Sequence, residues 1–285
     1  MPPGRADYPF LAKAMAKTVL ITGASSGIGY ETAKVFQQQG WNVVATLRSP
    51  DKAGELAQLP NVLCLPLDVT DEATIQAAIA AALQRFSTLD VVINNAGYGL
   101  IGPFEACTPA QIERQFATNV FGLMAVTRAV LPQMRSQQSG LIINVASIGG
   151  RLAFPLYSLY HSTKWAVEGF SDSLRYELEP FNIQVKLIEP GPIKTDFYTR
   201  SPDLAQQPGL TAYDGFVAQV LPKLTTAGET GSPPTVTAQI IYRAATDGRN
   251  QLRYPAGGNA GLLLLLRKLL PDSLFSQIVR AATLS

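Results

Sequence analysis

A short apolar strand followed by a glycine-rich turn and a helix is the feature that most constrains the fold. Thr18 to Ile21 is an apolar, β-branched run of the kind that forms strands buried on both faces. The next eight residues, Thr22 to Gly29, contain three glycines, and a helical pattern then runs to Gln39 and ends at Gly40. Without Cβ atoms the backbone can approach a phosphate, and a helix N-terminus favours its negative charge. The pattern therefore predicts a nucleotide-binding strand–turn–helix unit.

Further apolar runs recur along the chain, and helical patterns separate them. Strands that alternate with helices favour a parallel sheet, because each crossover helix returns the chain to the same edge. The sequence therefore predicts an α/β fold, a doubly wound, Rossmann-like parallel sheet of about seven strands with helices on both faces. The predicted strands after the first are Trp41 to Leu47, Val62 to Leu67, Val91 to Ile93, Leu141 to Ala146, Ile183 to Ile188 and Gln251 to Tyr254.

Length and the position of the first strand define the domain organisation. The 285 residues suit one large α/β domain, and no internal repeat or linker divides them. Residues 1–16 lack the apolar run of a signal peptide and are expected to form a loose N-terminal extension. The domain is therefore predicted to span residues 17–285. Within it, residues 196–234 are predicted to form a substrate lid, and residues 258–285 a C-terminal helical tail.

Composition excludes several classes of protein and site. A net charge of +2 is too small to indicate a nucleic acid or an anionic membrane as partner. Cys64, Cys107 and the single histidine, His161, cannot form a disulfide framework or an ordinary His/Cys zinc site. No segment approaches the roughly 18 apolar residues that a membrane span needs. We therefore expect a soluble, cytoplasmic protein without a metal site and without a nucleic-acid partner.

The pattern that carries chemistry is Tyr160 followed four residues later by Lys164. On a helix, this spacing places the phenol and the ammonium on one face. A nearby cation favours the phenolate and so lowers the pKa of a phenol from its ordinary value of about 10. Ser147, thirteen residues before Tyr160 and at the end of a predicted strand, has a hydroxyl that can hold a substrate oxygen. These groups are what reduction of a ketone or aldehyde requires, provided that another group delivers hydride.

Taken in order and spacing, these motifs resemble the short-chain dehydrogenase/reductase family, in its single-domain branch. The resemblance covers roughly Lys17 to Thr195. It implies an oxidoreductase that interconverts a carbonyl and an alcohol with a nicotinamide dinucleotide, commonly as a homodimer or homotetramer. The residues that carry it are the Gly-x-x-x-Gly-x-Gly turn within Thr22 to Gly29, Asn94-Asn95-Ala96-Gly97, Asn119, Ser147, Tyr160, Lys164 and Pro190-Gly191.

The resemblance also implies a role for each site residue. Tyr160 is the proton donor, Ser147 polarises the substrate oxygen, and Lys164 assists Tyr160 and binds the nicotinamide ribose. Asn119 lies in a kinked turn whose backbone carbonyl holds a water of a proton relay; the alternative is an asparagine at a partly exposed helix position. Asp68 contacts the adenine, or caps the next helix together with Asp71. The implied cofactor-binding residues are Gly23, Ser25, Ser26, Gly27, Ile28, Gly29, Arg48, Asp68, Val69, Asn95, Ala96, Gly97, Tyr160, Lys164, Pro190, Gly191, Ile193 and Thr195.

The end of the second predicted strand bears on the choice between two cofactors. In NAD-preferring dinucleotide folds an acidic residue at this point binds the ribose 2′-hydroxyl. This chain has no acid at Thr46, Leu47 or Arg48, and an arginine can pair with a 2′-phosphate. A basic residue before the second motif glycine, which some NADP-preferring relatives carry, is replaced by Ser26. The sequence favours NADP(H) over NAD(H), with a solvated Arg48 as the alternative interpretation.

Apolar residues surround the predicted reaction centre. They occur in the loop of residues 148–157 and in the predicted lid, where a short helix is expected near residues 214–224. They predict an apolar pocket and a lipophilic aldehyde or ketone as substrate, with retinoid-like or steroid-like compounds as candidates by family analogy. His161 is expected to point away from the reaction, because sequence neighbours on a helix are about 100° apart.

The apolar run Leu262 to Leu270 near the end of the chain has two interpretations. It is too short to cross a bilayer. A buried or dimer-facing helix is one interpretation, and an interfacial helix that rests on lipid is the other. The modest positive charge of this segment favours the first.

Two other functions compete with the reductase. A catalytically silent NADP(H)-binding sensor would keep the glycine turn, but it has no need to keep Ser147, Tyr160 and Lys164 together. A sugar-nucleotide epimerase or dehydratase uses a similar tyrosine and lysine. Its glycine spacing is usually one residue shorter, and its C-terminal substrate domain is larger than this chain allows.

Overall fold

The computed structural model describes residues 16–198 and 203–284. Most of the predicted N-terminal extension, residues 1–15, and residues 199–202 of the predicted lid lie outside the described residues, so the boundary at residue 17 stays a prediction. Seven strands form the main sheet: β1 (Thr18–Thr22), β2 (Asn42–Leu47), β3 (Val62–Pro66), β4 (Val91–Asn94), β6 (Gly140–Val145), β7 (Ile183–Pro190) and β9 (Arg253–Ala256). A separate pair joins β5 (Leu100–Ile101) to β8 (Asp203–Leu204), which the sequence pattern did not indicate.

The main sheet is parallel throughout, in the order β3-β2-β1-β4-β6-β7-β9. Ile21 of β1 lies opposite Ala45 of β2 on one side and Ile93 of β4 on the other. The chain builds outward from β1 to β3 and then crosses back to β4, so the strand order reverses between β1 and β4. In open α/β sheets the crevice at such a reversal is where ligands bind. The predicted doubly wound, Rossmann-like sheet of seven strands is confirmed.

Helices cover both faces of the sheet because successive strand residues point to opposite sides. Val19 packs with Phe36 and Ile241 on one face, whereas Leu20 packs with Ile75 and other side chains on the other. The first face holds α1 and α7, and the second holds α2, α4 and α5. The helices are α1 (Gly27–Gln38), α2 (Glu72–Phe86), α3 (Pro109–Phe116), α4 (Leu123–Gln137), α5 (Ser158–Leu178), α6 (Asp214–Glu229), α7 (Pro234–Thr246), α8 (Ala260–Leu269) and α9 (Asp272–Leu284).

Local capping fixes where two of these helices begin. The Thr108 side chain accepts from the Gln111 N–H, and the Gln111 side chain accepts from the Thr108 N–H, which is a capping box ahead of Pro109. Asp71 caps α2 by accepting from the Ala73 N–H. Each cap satisfies N–H groups that a helix start leaves without a partner.

A buried asparagine network ties the centre of the sheet to the helices on one face. Asn94 Nδ2 donates to Thr127 Oγ1 at 3.0 Å and to Asn144 Oδ1 at 2.9 Å. Asn144 Nδ2 donates in turn to Ser171 Oγ at 2.8 Å. Buried amides need such partners, because an unpaired one would cost about 1–3 kcal/mol. The network fixes α4 and α5 against the strand ends that lead into the site.

The C-terminal segment packs by one side only. Ala260 and Phe275 are buried against Ile148 and Leu152 of the loop that follows β6. The other side of α8 exposes Leu262, Leu265 and Leu269. Within residues 16–198 and 203–284, no helix combines the length and the apolar character that crossing a bilayer requires.

Candidate active site

Tyr160 and Lys164 lie one turn apart in the first half of α5, as the spacing predicts. The Lys164 Nζ is 5.8 Å from the centre of the Tyr160 ring. It donates to the Val145 carbonyl at the end of β6, at 2.9 Å, and the side chain is buried. This hydrogen bond holds the ammonium at the carboxyl end of the sheet, on the same side of the helix as the phenol.

Ser147 reaches the same place from the end of β6. Its backbone is extended, and its Oγ accepts from the Gly149 N–H at 3.0 Å. The hydroxyl also lies 3.5 Å from the Pro190 carbonyl at the end of β7, to which it donates. The serine is therefore oriented by two neighbouring strand ends rather than by a flexible loop.

Asn119 lies in a π-helical segment, Ala117–Gly122, between α3 and α4. The wider turns of this segment interrupt the α-helical course between α3 and α4, and such turns are frequent at functional sites. The asparagine is buried, which excludes the partly exposed position. Its Oδ1 accepts from the Tyr98 N–H at 3.1 Å, and its Nδ2 donates to the Tyr98 carbonyl at 2.9 Å and to Thr163 Oγ1 at 3.2 Å. The water relay through its backbone carbonyl stays a prediction.

Two glycines of the turn between β1 and α1, Gly23 and Gly29, have no room for a Cβ atom. A Cβ on Gly29 would lie 2.4 Å from the Gly23 carbonyl oxygen and 2.5 Å from Asn95 Nδ2. Gly23 and Gly27 have φ angles of +70° and +57°, in the left-handed region that favours glycine. Asn95 closes the turn from β4, since its Nδ2 donates to the carbonyls of Thr22 and Gly23 at 2.9 and 3.1 Å.

Arg48 and Asp68 follow the ends of β2 and β3. Arg48 is exposed and lines the cavity beside the glycine turn. Asp68 also lines it, and its Oδ1 accepts from both the N–H and the hydroxyl of Thr70, at 2.9 and 2.7 Å. Because Asp71 provides the cap of α2, Asp68 is not needed for that role.

A cavity of about 870 Å³ at the carboxyl ends of the strands brings nearly all of the predicted site residues together. Gly29 and Asn119 are the two that do not line it; each lies behind a lining residue, Gly23 and Gly97 respectively. The predicted residues that line it are Gly23, Ser25, Ser26, Gly27, Ile28, Arg48, Asp68, Val69, Asn95, Ala96, Gly97, Ser147, Tyr160, Lys164, Pro190, Gly191, Ile193 and Thr195.

Aromatic and aliphatic side chains line the cavity around Tyr160, and the charged Arg114, Asp196, Asp203 and Lys223 also line it. The Tyr160 ring packs 5.7 Å from the Tyr157 ring and 5.2 Å from the Phe197 ring, measured between centroids. The predicted lid supplies Leu224 from α6, a helix that extends further than the short one expected. Sequence reasoning missed the contribution of α9, whose Thr283 also lines the cavity. No local pattern indicates that contact, because it depends on how α9 packs on α6.

Sequence reasoning also missed a buried charge cluster behind Lys164. Glu168, one turn further along α5, accepts from Arg253 Nε at 2.9 Å. Arg253 Nε lies 3.9 Å from Glu189, the residue before Pro190, and Arg151 Nη1 lies 3.4 Å from the same carboxyl oxygen. Burial and, to a smaller extent, the nearby Glu189 raise the pKa of Glu168 to about 7, against the lowering effect of Arg253 and Arg151. Burial lowers the pKa of Lys164 to about 8, against the opposing effect of Glu168. Lys164 therefore remains mostly protonated at pH 7.

The raised pKa of Glu168 predicts how stability depends on pH. A folded-state pKa near 7, above the ordinary 4.5, means that the native state binds the proton more tightly than the unfolded chain. This stabilisation is complete below pH 4.5 and is lost as pH rises through 7, and it amounts to up to about 3 kcal/mol. We expect Glu168→Gln to abolish this slope in urea unfolding measured from pH 4.5 to 8. Glu177→Gln, at an exposed position of the same helix, should retain it. A slope equally steep in Glu168→Gln would contradict the assignment.

Residues 17–204 match the family model described as short chain dehydrogenase. The chain belongs to the short-chain dehydrogenase/reductase family. Its relatives include an uncharacterised oxidoreductase of Schizosaccharomyces pombe, 40% identical over 238 residues, or 80% of this chain and 96% of that one. The uncharacterised oxidoreductase YusZ of Bacillus subtilis is 38% identical over 274 residues, which cover 93% of this chain and 97% of that protein. The 3-ketodihydrosphingosine reductase of Bacteroides thetaiotaomicron is 40% identical over 179 residues, which cover 63% of this chain and 65% of that protein. The chain is thus an NAD(P)-binding oxidoreductase of this family.

Solved structures of the family share the fold. A short-chain dehydrogenase from Streptomyces avermitilis is 34% identical, with a TM-score of 0.79 over 93% of this chain and 95% of that one. The 3-ketoacyl-(acyl-carrier-protein) reductase of Brucella melitensis, complexed with NADH, is 26% identical, with a TM-score of 0.73 over 86% of this chain and 98% of that one. ElxO, solved with NADP bound, is 28% identical, with a TM-score of 0.70 over 85% of this chain and 98% of that one. Both dinucleotides therefore occur among short-chain dehydrogenases of this fold.

The polar end of the cavity suits the nicotinamide dinucleotide of the short-chain dehydrogenases. A Cβ at Gly29 would collide with the turn, so this position requires glycine. Pyrophosphate sites of dinucleotide-binding folds use glycines in the same way, to pack the turn closely against the helix and the ligand. Ser25 to Gly27 follow β1 and lead directly into the first turn of α1, whose N-terminus favours negative charge. Lys164 gives one of its three donors to Val145, and an ammonium has two more N–H groups with which it could bind a ribose.

Proposed function

We propose that the protein is an NADP(H)-dependent reductase of lipophilic ketones and aldehydes, acting on a carbonyl/alcohol pair. One observation carries the proposal: a single cavity holds Ser147, Tyr160 and Lys164 beside the glycine turn, and aromatic and aliphatic side chains pack around Tyr160. The Bacteroides relative is named as a 3-ketodihydrosphingosine reductase, which supports a ketone as the reacting group. Retinoid-like and steroid-like carbonyl compounds are further candidates that an apolar pocket would accept.

In this proposal each side chain has a defined task. The bound nicotinamide supplies hydride to the carbonyl carbon. Tyr160 donates its phenolic proton to the substrate oxygen, and the Ser147 hydroxyl donates a hydrogen bond to that same oxygen. The Lys164 ammonium, held by Val145, stabilises the phenolate that remains, because opposite charges attract strongly in a buried site. Asn119 would anchor the water through which the proton is replaced from solvent.

The proposed cofactor contacts follow the geometry of the cavity. The glycine turn, with Ser25, Ser26 and Ile28, would hold the pyrophosphate, while Asp68 and Val69 would lie beside the adenine. Asn95, Ala96 and Gly97 would line the ribose. The remaining contacts would come from Tyr160 and Lys164 to the nicotinamide ribose and from Pro190, Gly191, Ile193 and Thr195 to the nicotinamide end.

The preference for NADP(H) rests on Arg48. This exposed guanidinium at the end of β2 can pair with a 2′-phosphate, and such a charge-assisted bond contributes about 1.5–3 kcal/mol. We expect Arg48→Glu to lower the ratio of kcat/KM for NADPH to kcat/KM for NADH by roughly 10- to 100-fold. Lys52→Glu makes the same charge change at an exposed residue that does not line the cavity, and should leave the ratio near that of the wild type. Equal kcat/KM values for both cofactors in the wild type would contradict the preference.

A panel of carbonyl compounds tests the proposed function. NADPH consumption is measured with small, aromatic, long-chain, retinoid and steroid carbonyls, and the highest kcat/KM is expected for the lipophilic members. If NADPH binds but no member of a broad panel is reduced, the catalytically silent NADP(H) sensor becomes the better description. The homodimer or homotetramer that the family resemblance implies stays a prediction, which the molar mass from light scattering would test.

A further inference from the structure

His161 lies in the wall of the cavity, although helical geometry predicted that it would point away. The side chain is 5% exposed, and its ring packs against three aromatic rings. The centroid distances are 6.2 Å to Phe154, 5.4 Å to Tyr157 and 5.8 Å to Tyr160. Residues 160 and 161 leave the helix in different directions, but both line the cavity. The proposed proton transfer assigns no role to this imidazole.

The hydrogen bond at one ring nitrogen fixes where the imidazole proton sits. The Phe154 N–H donates to His161 Nδ1 at 3.4 Å, so Nδ1 is an acceptor. Burial lowers the pKa of His161 to about 4, which keeps the ring neutral at pH 7. A neutral imidazole with an accepting Nδ1 carries its proton on Nε2. Among the described residues, no atom accepts a hydrogen bond from that Nε2–H.

This unused donor lies near the Ser147 hydroxyl, on the side of Gly149 where a Cβ would be. A Cβ built on Gly149 would lie 2.9 Å from His161 Nε2 and 3.3 Å from Ser147 Oγ. The two polar atoms therefore flank one point beside Gly149, within a few ångströms of each other. Only glycine fits at this position, since a methyl group there would also lie 2.6 Å from His161 Cδ2. A substrate whose reacting oxygen is held by Ser147 would place the neighbouring part of its chain close to His161.

We propose that His161 determines substrate specificity by donating an Nε2–H hydrogen bond to a second oxygen of the substrate, one or two carbons from the reacting carbonyl. This inference rests on the proposed function, because it names the substrate class of the same site. Two donors a few ångströms apart suit the two oxygens of a 3-oxo ester or an α-hydroxy ketone. The Nε2–H opens into the cavity and has no acceptor among the described residues, so a substrate that supplies one is favoured over a plain ketone.

Paired substrates and a ring-preserving substitution test the role of His161. The ratio of kcat/KM for a long-chain 3-oxo ester to kcat/KM for the plain ketone of equal length is measured with NADPH. Because a neutral hydrogen bond contributes about 0.5–1.5 kcal/mol, His161→Phe should lower this ratio roughly 3- to 10-fold. His161→Gln keeps an N–H donor and should retain most of the preference. Phe154→Leu changes the apolar shape of the same wall while keeping the backbone N–H that orients His161, and should not change the ratio.

Equilibrium binding separates this inference from the proposed function. The dissociation constants of the 3-hydroxy ester and of the matched plain alcohol are measured by calorimetry for the NADPH-loaded wild type and His161→Phe, because the reduced cofactor cannot oxidise either alcohol. We expect the wild type to favour the 3-hydroxy ester and His161→Phe to lose that advantage by the same 3- to 10-fold. If neither ketone is reduced, the proposed function fails, while the binding ratio still decides the role of His161. An identical ratio in wild type and His161→Phe would overturn the inference, and so would an equal fall in Phe154→Leu.

Discussion

Tyr160→Phe should lower kcat by about 10²- to 10⁴-fold, the contribution typical of a positioned general acid. The substitution removes the only atom that the proposed mechanism needs from this side chain and keeps the ring. The packing of that ring against Tyr157 and Phe197, at centroid distances of 5.7 and 5.2 Å, should therefore persist. NADPH should still bind, because the glycine turn and Lys164 are unaltered. Steady-state reduction of the best ketone, together with a fluorescence titration of NADPH, measures both quantities.

A matched control tests whether the fall in kcat is specific to the tyrosine of the active site. Tyr176 lies on the same helix but is 63% exposed, so Tyr176→Phe should leave kcat near that of the wild type. If Tyr160→Phe retains most of the kcat, the phenol is not the proton donor. If it also loses NADPH binding, the fall in kcat reports a damaged site rather than a missing proton.

The sheet and the polar end of the site could be predicted because their determinants are local in sequence. Runs such as Val19 to Ile21 are short, β-branched and buried on both faces, and a parallel strand needs little else. Once the strands are known to be parallel, residues at their carboxyl ends must meet at one edge. That rule alone brings Gly23, Ser147 and Pro190 into one cavity. The four-residue spacing in α5 then adds Tyr160 and Lys164.

The full cavity lining around Tyr160 and the charge cluster could not be predicted because they depend on packing between distant segments. Arg253 lies 85 positions from Glu168 in sequence, and their ion pair exists only because β9 joins the sheet beside β7. Thr283 reaches the cavity only through the packing of α9 on α6. The 100° step between helix neighbours predicted that His161 points away from the reaction, whereas its side chain lines the same cavity as Tyr160. The irregular turn at Asn119 was indicated only by the family resemblance, since its neighbours in sequence favour an ordinary helix.

Gly29→Ala should weaken NADPH binding by at least roughly tenfold and lower the free energy of unfolding by about 1–3 kcal/mol, as overpacking of a close-fitting site does. Helix propensity makes the opposite prediction, because Gly29 lies within α1, and alanine in a helix interior is favoured over glycine by about 1 kcal/mol. The geometry decides between the two effects. The new Cβ would lie 2.4 Å from the Gly23 carbonyl oxygen and 2.5 Å from the Asn95 amide that closes the turn, so the turn has to open.

Gly169→Ala separates these two effects experimentally. Gly169 lies inside α5, and a methyl group added there would meet no atom of another element within 4 Å, so helix propensity acts without a collision. We expect this variant to gain up to about 1 kcal/mol of stability and to bind NADPH like the wild type. Urea unfolding and a fluorescence titration of NADPH compare the two variants directly. If Gly29→Ala matches Gly169→Ala in both measurements, the glycine turn can accommodate a methyl group at Gly29. The close pyrophosphate contact proposed for the turn would then be wrong.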